Sequence, residues 1–282
     1  MNPDSSSTGG TYLIKFGGNA IGGPEDLNRL AADLLPLLRQ GRRVAVVHGG
    51  GPEITRAMEE KGMQARKVDG IRVTDDAALQ VAEEVLMRIN RQVVEAFVQS
   101  GIEALGMAGH DRSLVSCVKK APLPSRNADG SVEMVDLVNV GEVDEVNVPV
   151  LEGILSQGKV PVVYPICATK DGRRMNVNAD TLAYSMAAAL GCEEMILITD
   201  VPGILLDVKD PSSLVPEASK AEVLRMIEEG IIRDGMIPKV EGCLKALQAG
   251  VRSTRMVNGK DPQSILGDII HGGQKGTRVY MQ

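Results

Sequence analysis

Strand-length apolar runs alternate along the chain with segments in which apolar residues recur at every third or fourth position. The run TYLIKF (11–16) is followed by Leu27, Leu30, Leu34, Leu35 and Leu38, a helical spacing that Gly41 stops. RRVAVVHGG predicts the next strand. From Thr74, read as an N-cap with Asp75 and Asp76 behind it, Leu79, Ala82, Leu86, Ile89, Val93 and Phe97 predict one long helix ending before Gly101. VPVVYPI (160–166) and EMILITDV (194–201) predict two further strands of the buried kind, with helices between them. Strands that alternate with helices are joined by crossovers, which make the strands parallel and cover both faces of the sheet. The expected fold is α/β with a mostly parallel sheet. Two hairpins interrupt the alternation and are placed to act as lids: VKKAPLPSRNADGSVEMVDLV turns near Asp129–Gly130, and ATKDGRRMNV near Asp171–Gly172.

Length and composition fit that fold: 282 residues, 43% hydrophobic, suffice for one large domain or two lobes. Lys and Arg total 31 against 37 Asp and Glu, a net charge of −6 that repels polyanions, so no nucleic acid partner is expected. A small anion must then be held by local geometry. The apolar runs fall short of the roughly 18–20 residues of a membrane span. The opening MNPDSSSTGG lacks a signal peptide's apolar core, so a cytoplasmic protein with no membrane contact is expected. Cys117, Cys167, Cys192 and Cys243 are scattered without a C-x-x-C pair, which predicts buried, reduced thiols.

Two of the predicted strands end in glycines, KFGGNA and HGGGPE. Beyond the carboxyl end of a parallel strand, the turn into the next helix presents free amide N–H groups and the positive end of a helix dipole, and glycine lets an anion touch that backbone. These stretches read as two phosphate or oxyanion cradles, or as tight turns alone. No G-x-x-x-x-G-K-[ST] or G-x-G-x-x-G motif is present, which disfavours a P-loop enzyme and a Rossmann dehydrogenase. In MNVNAD (175–180), Asn176, Asn178 and Asp180 stand at a predicted helix start, where capping accounts for one of the three. RDGMIPKV (233–240) sets Lys239 shortly after a Gly235 turn and behind Pro238 in a first helical turn. Phosphoryl transfer needs cations aimed at the transferring group. Lys15 and Lys239 are the candidates, with Asp180 to hold the two ammonium groups apart.

KFGGNA, VVHGGGPEI, DGIRVT, MNVNAD, LITDVPGIL and DGMIPKV, in this order, resemble the amino acid kinase family, and within it the N-acetyl-L-glutamate kinases, from Tyr12 to GTRV near the C-terminus. The resemblance implies an open three-layer αβα sandwich on a mainly parallel sheet of about eight strands. It further implies ATP-dependent phosphorylation of the side-chain carboxylate of N-acetyl-L-glutamate, the second step of arginine biosynthesis; the alternatives are an aminoadipate derivative as acceptor, or a non-catalytic nucleotide-binding protein. By the same resemblance Lys15 and Lys239 stabilise the phosphoryl group in flight, Asp180 orients both lysines, and Gly18 and Gly50 donate backbone N–H bonds to it. Arg72 grips the substrate α-carboxylate with its fork, Asn176 binds the same substrate, and Gly49 and Gly51 complete that cradle. Lys15, Gly17, Gly18, Thr199, Asp200, Gly203, Gly235, Met236 and Lys239 form the nucleotide site. Magnesium is expected on ATP oxygens with no protein-only metal site, His48, His110 and His271 being scattered.

The implied organisation is a mobile tail at 1–10, an N-terminal lobe at 11–173 for the acyl amino acid and dimerisation, and a C-terminal lobe at 174–282 for ATP. A homodimer through the long helix after Thr74 is expected, although its apolar stripe also suits a core. The Ser- and Gly-rich start has no apolar stripe to order it as a helix, so no hexamer and no strong arginine inhibition are expected, despite GGQKGTRV near the C-terminus. His48 is read as shaping its turn, because an ionised acceptor needs no general base, and His110 with Asp111 as ordering a loop. One departure concerns LVNVGEV: where the family commonly has a glycine and an aromatic residue before VG, this chain has Val138 and Asn139.

Overall fold

The computed structural model describes residues 10–17, 20–21, 23–126, 130–261, 273 and 275–282. The strands are β1 (Thr11–Phe16), β2 (Arg43–His48), β3 (Lys67–Val68), β4 (Ile71–Arg72), β5 (Ala104–Ala108), β6 (Val115–Lys119), β7 (Leu123–Arg126), β8 (Val132–Val135), β9 (Val140–Val146), β10 (Val160–Tyr164), β11 (Ile166–Ala168), β12 (Arg174–Val177), β13 (Glu194–Thr199), β14 (Glu217–Ser219), β15 (Ser253–Asn258) and β16 (Thr277–Tyr280). The helices are α1 (Pro24–Arg39), α2 (Gly51–Glu60), α3 (Asp76–Gln99), α4 (Val148–Leu155), α5 (Ala179–Ala189), α6 (Lys220–Glu228) and α7 (Ile237–Gln248).

One eight-stranded sheet runs β14-β16-β15-β13-β1-β2-β10-β5 and is parallel except where β15 meets β16. Because successive strand residues point to opposite faces, each strand divides its apolar side chains between two cores. Leu13, Ala45, Val47 and Leu197 pack with residues of α4, α5 and α7, whereas Ile14, Val44, Val46, Ile196 and Ile198 pack with residues of α1 and α3. The result is the expected three-layer αβα sandwich. β1 lies between β2 and β13, so Lys15 stands level with Val47 on one side and Leu197 on the other. The order of connection changes direction here, and ligands of open α/β sheets collect beyond the carboxyl ends of strands at such a point.

Above that edge, β6, β9, β12 and β11 close into a small ring of alternating parallel and antiparallel pairs. β10 leads into it directly, so the run 160–166 forms two strands broken at Pro165, which lacks the N–H to continue a ladder. The strand at 194 likewise ends at Thr199 rather than 201. Both expected hairpins form, as β7–β8 and β11–β12. The first turn includes Asn127, Ala128 and Asp129, which lie outside the described residues, as do residues 1–9 of the expected tail and Gly272 and Gln274 of GGQKGTRV. The N-cap of α3 is Asp75, whose side chain accepts from the Ala78 N–H, rather than Thr74. The Thr74 hydroxyl donates instead to the Arg72 carbonyl at 2.9 Å. The apolar stripe of α3 is taken up inside the chain, with Leu86, Val93 and Phe97 buried.

Candidate active site

Lys15, the penultimate residue of β1, points at the start of α5, where its Nζ lies 2.6 Å from Asp180 Oδ1. Asn178 makes this possible: its Oδ1 accepts from the N–H groups of Asp180 and Thr181, capping α5 and leaving the Asp180 carboxylate free for the lysine. Lys239, in the first turn of α7, pairs at 2.6 Å with Asp200, just past the end of β13. Of the two lysines that Asp180 is expected to orient, it contacts Lys15, and among the described residues no contact joins it to Lys239. Each lysine has its own carboxylate, because α7 enters beside the end of β13. The ammonium of Lys239 donates to Asp200 and holds that carboxyl below its ordinary range.

Between the lysine and α2 the two glycine stretches meet backbone to backbone. A Cβ at Gly17 would stand 3.2 Å from both the N and the Cα of Gly49, so a side chain there would wedge the turns apart. Gly50 is the N-cap of α2 and offers no capping side chain, so first-turn N–H groups of α2 remain available at the helix's positive end. Gly18 lies outside the described residues.

A cleft of ≈ 340 Å³ opens on this cradle, lined by Lys15, Gly17, Gly49, Gly50, Gly51, Arg72, Asn176 and Asp180 among others. Arg72 is buried and anchored from α2, donating to Gly51 O at 3.0 Å and Thr55 Oγ1 at 2.7 Å, and its burial lowers its pKa. These acceptors are neutral, so the guanidinium charge is unmatched by them. Asn176 donates to Thr74 Oγ1 at 3.3 Å, and its N–H bonds Asn139 O at 2.9 Å, which ties ring strand β12 to the start of α3. The segment flanking this tie carries strain: Val138 adopts φ 64°, a left-handed conformation that glycine takes freely and a β-branched residue does not.

A second cavity, of ≈ 610 Å³, lies on the far side of Lys239 and is lined by Val201–Leu205, Gly235 and Met236, with Lys209 and Arg233 on its wall. Gly203 belongs here, its φ of 141° outside the range of ordinary side chains. Asp200 reaches the site through its ion pair. Thr199 instead braces the turn, its hydroxyl donating to Val201 O and accepting from Val201 N–H.

His48 is fully buried at the end of β2. Its Nδ1–H donates to Gly49 O at 3.0 Å, and its Nε2 accepts from Asn90 Nδ2 at 3.1 Å, while that amide also donates to Val162 O at 2.9 Å. Burial brings its pKa down from 6.5 to about 4, so the ring is neutral and serves to hold the glycine turn. His110 stays away from the cradle, between Glu83 and Asp111. Sequence reasoning missed Lys67, which lines the first cleft, and Asn90 behind His48. Strand alternation was the available signal for Lys67, since it faces Arg72 across the hairpin; nothing local marks Asn90.

The amino acid kinase family model matches residues 10–258. The chain is 40% identical over 277 residues to the acetylglutamate kinase of Novosphingobium aromaticivorans, covering 96% of this chain and 90% of that one. It is also 40% identical over 272 residues to the acetylglutamate kinase of Methanocaldococcus jannaschii, with 96% and 90% covered. Among solved structures it matches an N-acetylglutamate synthase from Neisseria gonorrhoeae with a TM-score of 0.79 at 20% identity, over 97% of this chain and 62% of that one. A carbamate kinase from Giardia lamblia bound to AMP-PNP matches with a TM-score of 0.67 at 15% identity, over 98% and 100%. At such identities these structural likenesses are of fold.

Proposed function

The chain belongs to the amino acid kinase family, and from that membership we infer that it phosphorylates the side-chain carboxylate of N-acetyl-L-glutamate at the expense of ATP. The observation that carries this reading is the first cleft, which holds a carboxylate-matching guanidinium at one end and a lysine over an uncapped glycine turn at the other. An acceptor lying between them directs one carboxylate at Arg72 and presents the other beside Lys15.

The acceptor carboxylate is ionised at neutral pH, so no base has to remove a proton. One of its oxygens bonds to the γ-phosphorus while the bond from that phosphorus to the β-phosphate oxygen breaks, and ADP departs with the electron pair. Lys15 and Lys239 supply positive charge to the phosphoryl oxygens, and Asp180 fixes the direction of Lys15. The turn of Gly17 and Gly50 offers backbone N–H groups to the same oxygens, while the Gly49 N–H is held by Phe16 O. Residues Gly203, Gly235, Met236 and Lys239 would hold ATP, with Asp200 setting the position of Lys239. Magnesium bound to the nucleotide would offset phosphate charge. The lobe division near residue 173, and a homodimer using the exposed side of α3, where Met87 and Val98 are open to solvent, are part of the same reading.

ADP release with N-acetyl-L-glutamate as acceptor tests the assignment. Lys15→Ala and Lys239→Ala should each lower kcat by roughly a hundredfold or more, with a smaller change in the KM for ATP. Near-normal turnover in both variants, or no acceptor-dependent ADP release by the wild type, refutes it.

A further inference from the structure

Two cations face each other across the β3–β4 hairpin. In its antiparallel register Lys67 stands opposite Arg72, and both line the cleft that also contains Lys15 and Asn176. Residues directly opposite on such a ladder share a face, with Cβ atoms roughly 4.5–5.5 Å apart, and like charges so placed are destabilising. The hairpin pairs only two residues on each strand, so it has few bonds to set against that repulsion.

Two of the nearby anions are otherwise engaged. Asp180 is held by Lys15, and Glu133 on the neighbouring β8 is held by Arg66. Arg72 donates to a carbonyl, a hydroxyl and a thioether, all neutral. Lys67 has no ion pair among the described residues. The cleft therefore presents two cations at one end, and a carboxylate placed between them would replace repulsion by two attractions.

We propose that Lys67 is a second carboxylate-binding residue, bridged to Arg72 by the acceptor's α-carboxylate, and that this pair selects dicarboxylate acceptors over monocarboxylate ones. The proposal rests on the acceptor assigned above. Arg72 supplies the fixed, buried fork, and Lys67, itself exposed on β3, supplies a point charge on a flexible stem that closes onto the anion.

The test is calorimetric binding of N-acetyl-L-glutamate and of 4-acetamidobutanoate, the same molecule without its α-carboxylate, to the wild type, Lys67→Gln and Lys67→Arg, with turnover measured in parallel. Lys67→Gln should weaken N-acetyl-L-glutamate binding roughly fivefold to tenfold, the loss falling on KM rather than kcat, and leave 4-acetamidobutanoate unaffected. Lys67→Arg should restore most of the difference. Unchanged N-acetyl-L-glutamate affinity in Lys67→Gln, equal weakening of both ligands, or a wild type that binds neither would overturn the proposal. A wild type that binds N-acetyl-L-glutamate with this selectivity yet does not phosphorylate it would sink the acceptor assignment and leave the role of Lys67 standing.

Discussion

Acidification should unfold this protein through His48 before its carboxylates contribute. Both ring nitrogens are committed in the neutral form, one donating to Gly49 O and the other accepting from Asn90. A second proton would set Nε2–H against an amide N–H in a site closed to water. The folded state thus binds that proton only near pH 4, whereas the unfolded chain binds it near 6.5. Between those values the unfolded state carries more protons, so stability is fully present above the unfolded pKa and is lost as pH falls toward the folded one. At about 1.4 kcal/mol per unit, the drop from about pH 7 to about pH 4.5 comes to roughly 2 kcal/mol. Carboxyls whose pKa values are lowered by their partners, such as Asp200 and Asp136, lose their contribution below their own unfolded range, so the upper window belongs to histidine. Urea unfolding followed by circular dichroism at fixed protein concentration measures the slope. Asn90→Asp places a carboxylate beside Nε2, which favours the imidazolium and should flatten the slope, even though losing the amide bond to Val162 O lowers stability at neutral pH. A wild type whose stability holds level down to about pH 4.5, or an Asn90→Asp variant with an unchanged slope, refutes the reasoning.

Three further outcomes are expected. Val138→Asn should raise stability by about 1 kcal/mol, because asparagine accepts the left-handed conformation that valine resists, and thermal unfolding would register it. Gly106→Ala should cost about 1–3 kcal/mol, since the added Cβ would stand 2.1 Å from Asn90 Oδ1 and disturb the amide that bonds His48. Arg72→Lys should raise the acceptor KM with a smaller effect on kcat, because a point charge reproduces neither the fork nor the anchoring bonds to Gly51 and Thr55; the reverse pattern would move Arg72 into the reacting group.

What the chain discloses locally, it disclosed well. β1, β2, α1 and the two glycine turns follow from apolar spacing and from the residues that end it, because helices and buried strands are set by neighbours a few positions away. Of the three polar residues of MNVNAD, one, Asn178, is the cap of α5, and all three line the cleft. Errors arose where two neighbouring residues could do the same work, as with Thr74 and Asp75, and where a partner lay far off in sequence. The ring of β6, β9, β11 and β12 joins segments up to about sixty residues apart through pairings that leave no periodic trace. The pairing of Lys239 with Asp200 depends on where α7 enters beside β13, a tertiary fact. Val138 is a different case. Its sequence neighbours gave no hint of a left-handed backbone, and only the contrast with the glycine common there in the family marked the position.

β1 is synthesised well before β13, yet it ends between β2 and β13, with Tyr12 paired to Glu194. A nascent chain can zip β1 to β2 early, but the other hydrogen-bonding edge of β1 has to wait until β13 has left the ribosome. Through that interval an apolar strand with unsatisfied N–H and C=O groups is open to any other extended chain. Long-range pairing of this kind also slows folding after release. Fragments that stop before β13 should therefore aggregate rather than fold, and the strand that carries Lys15 would be buried in the wrong partner.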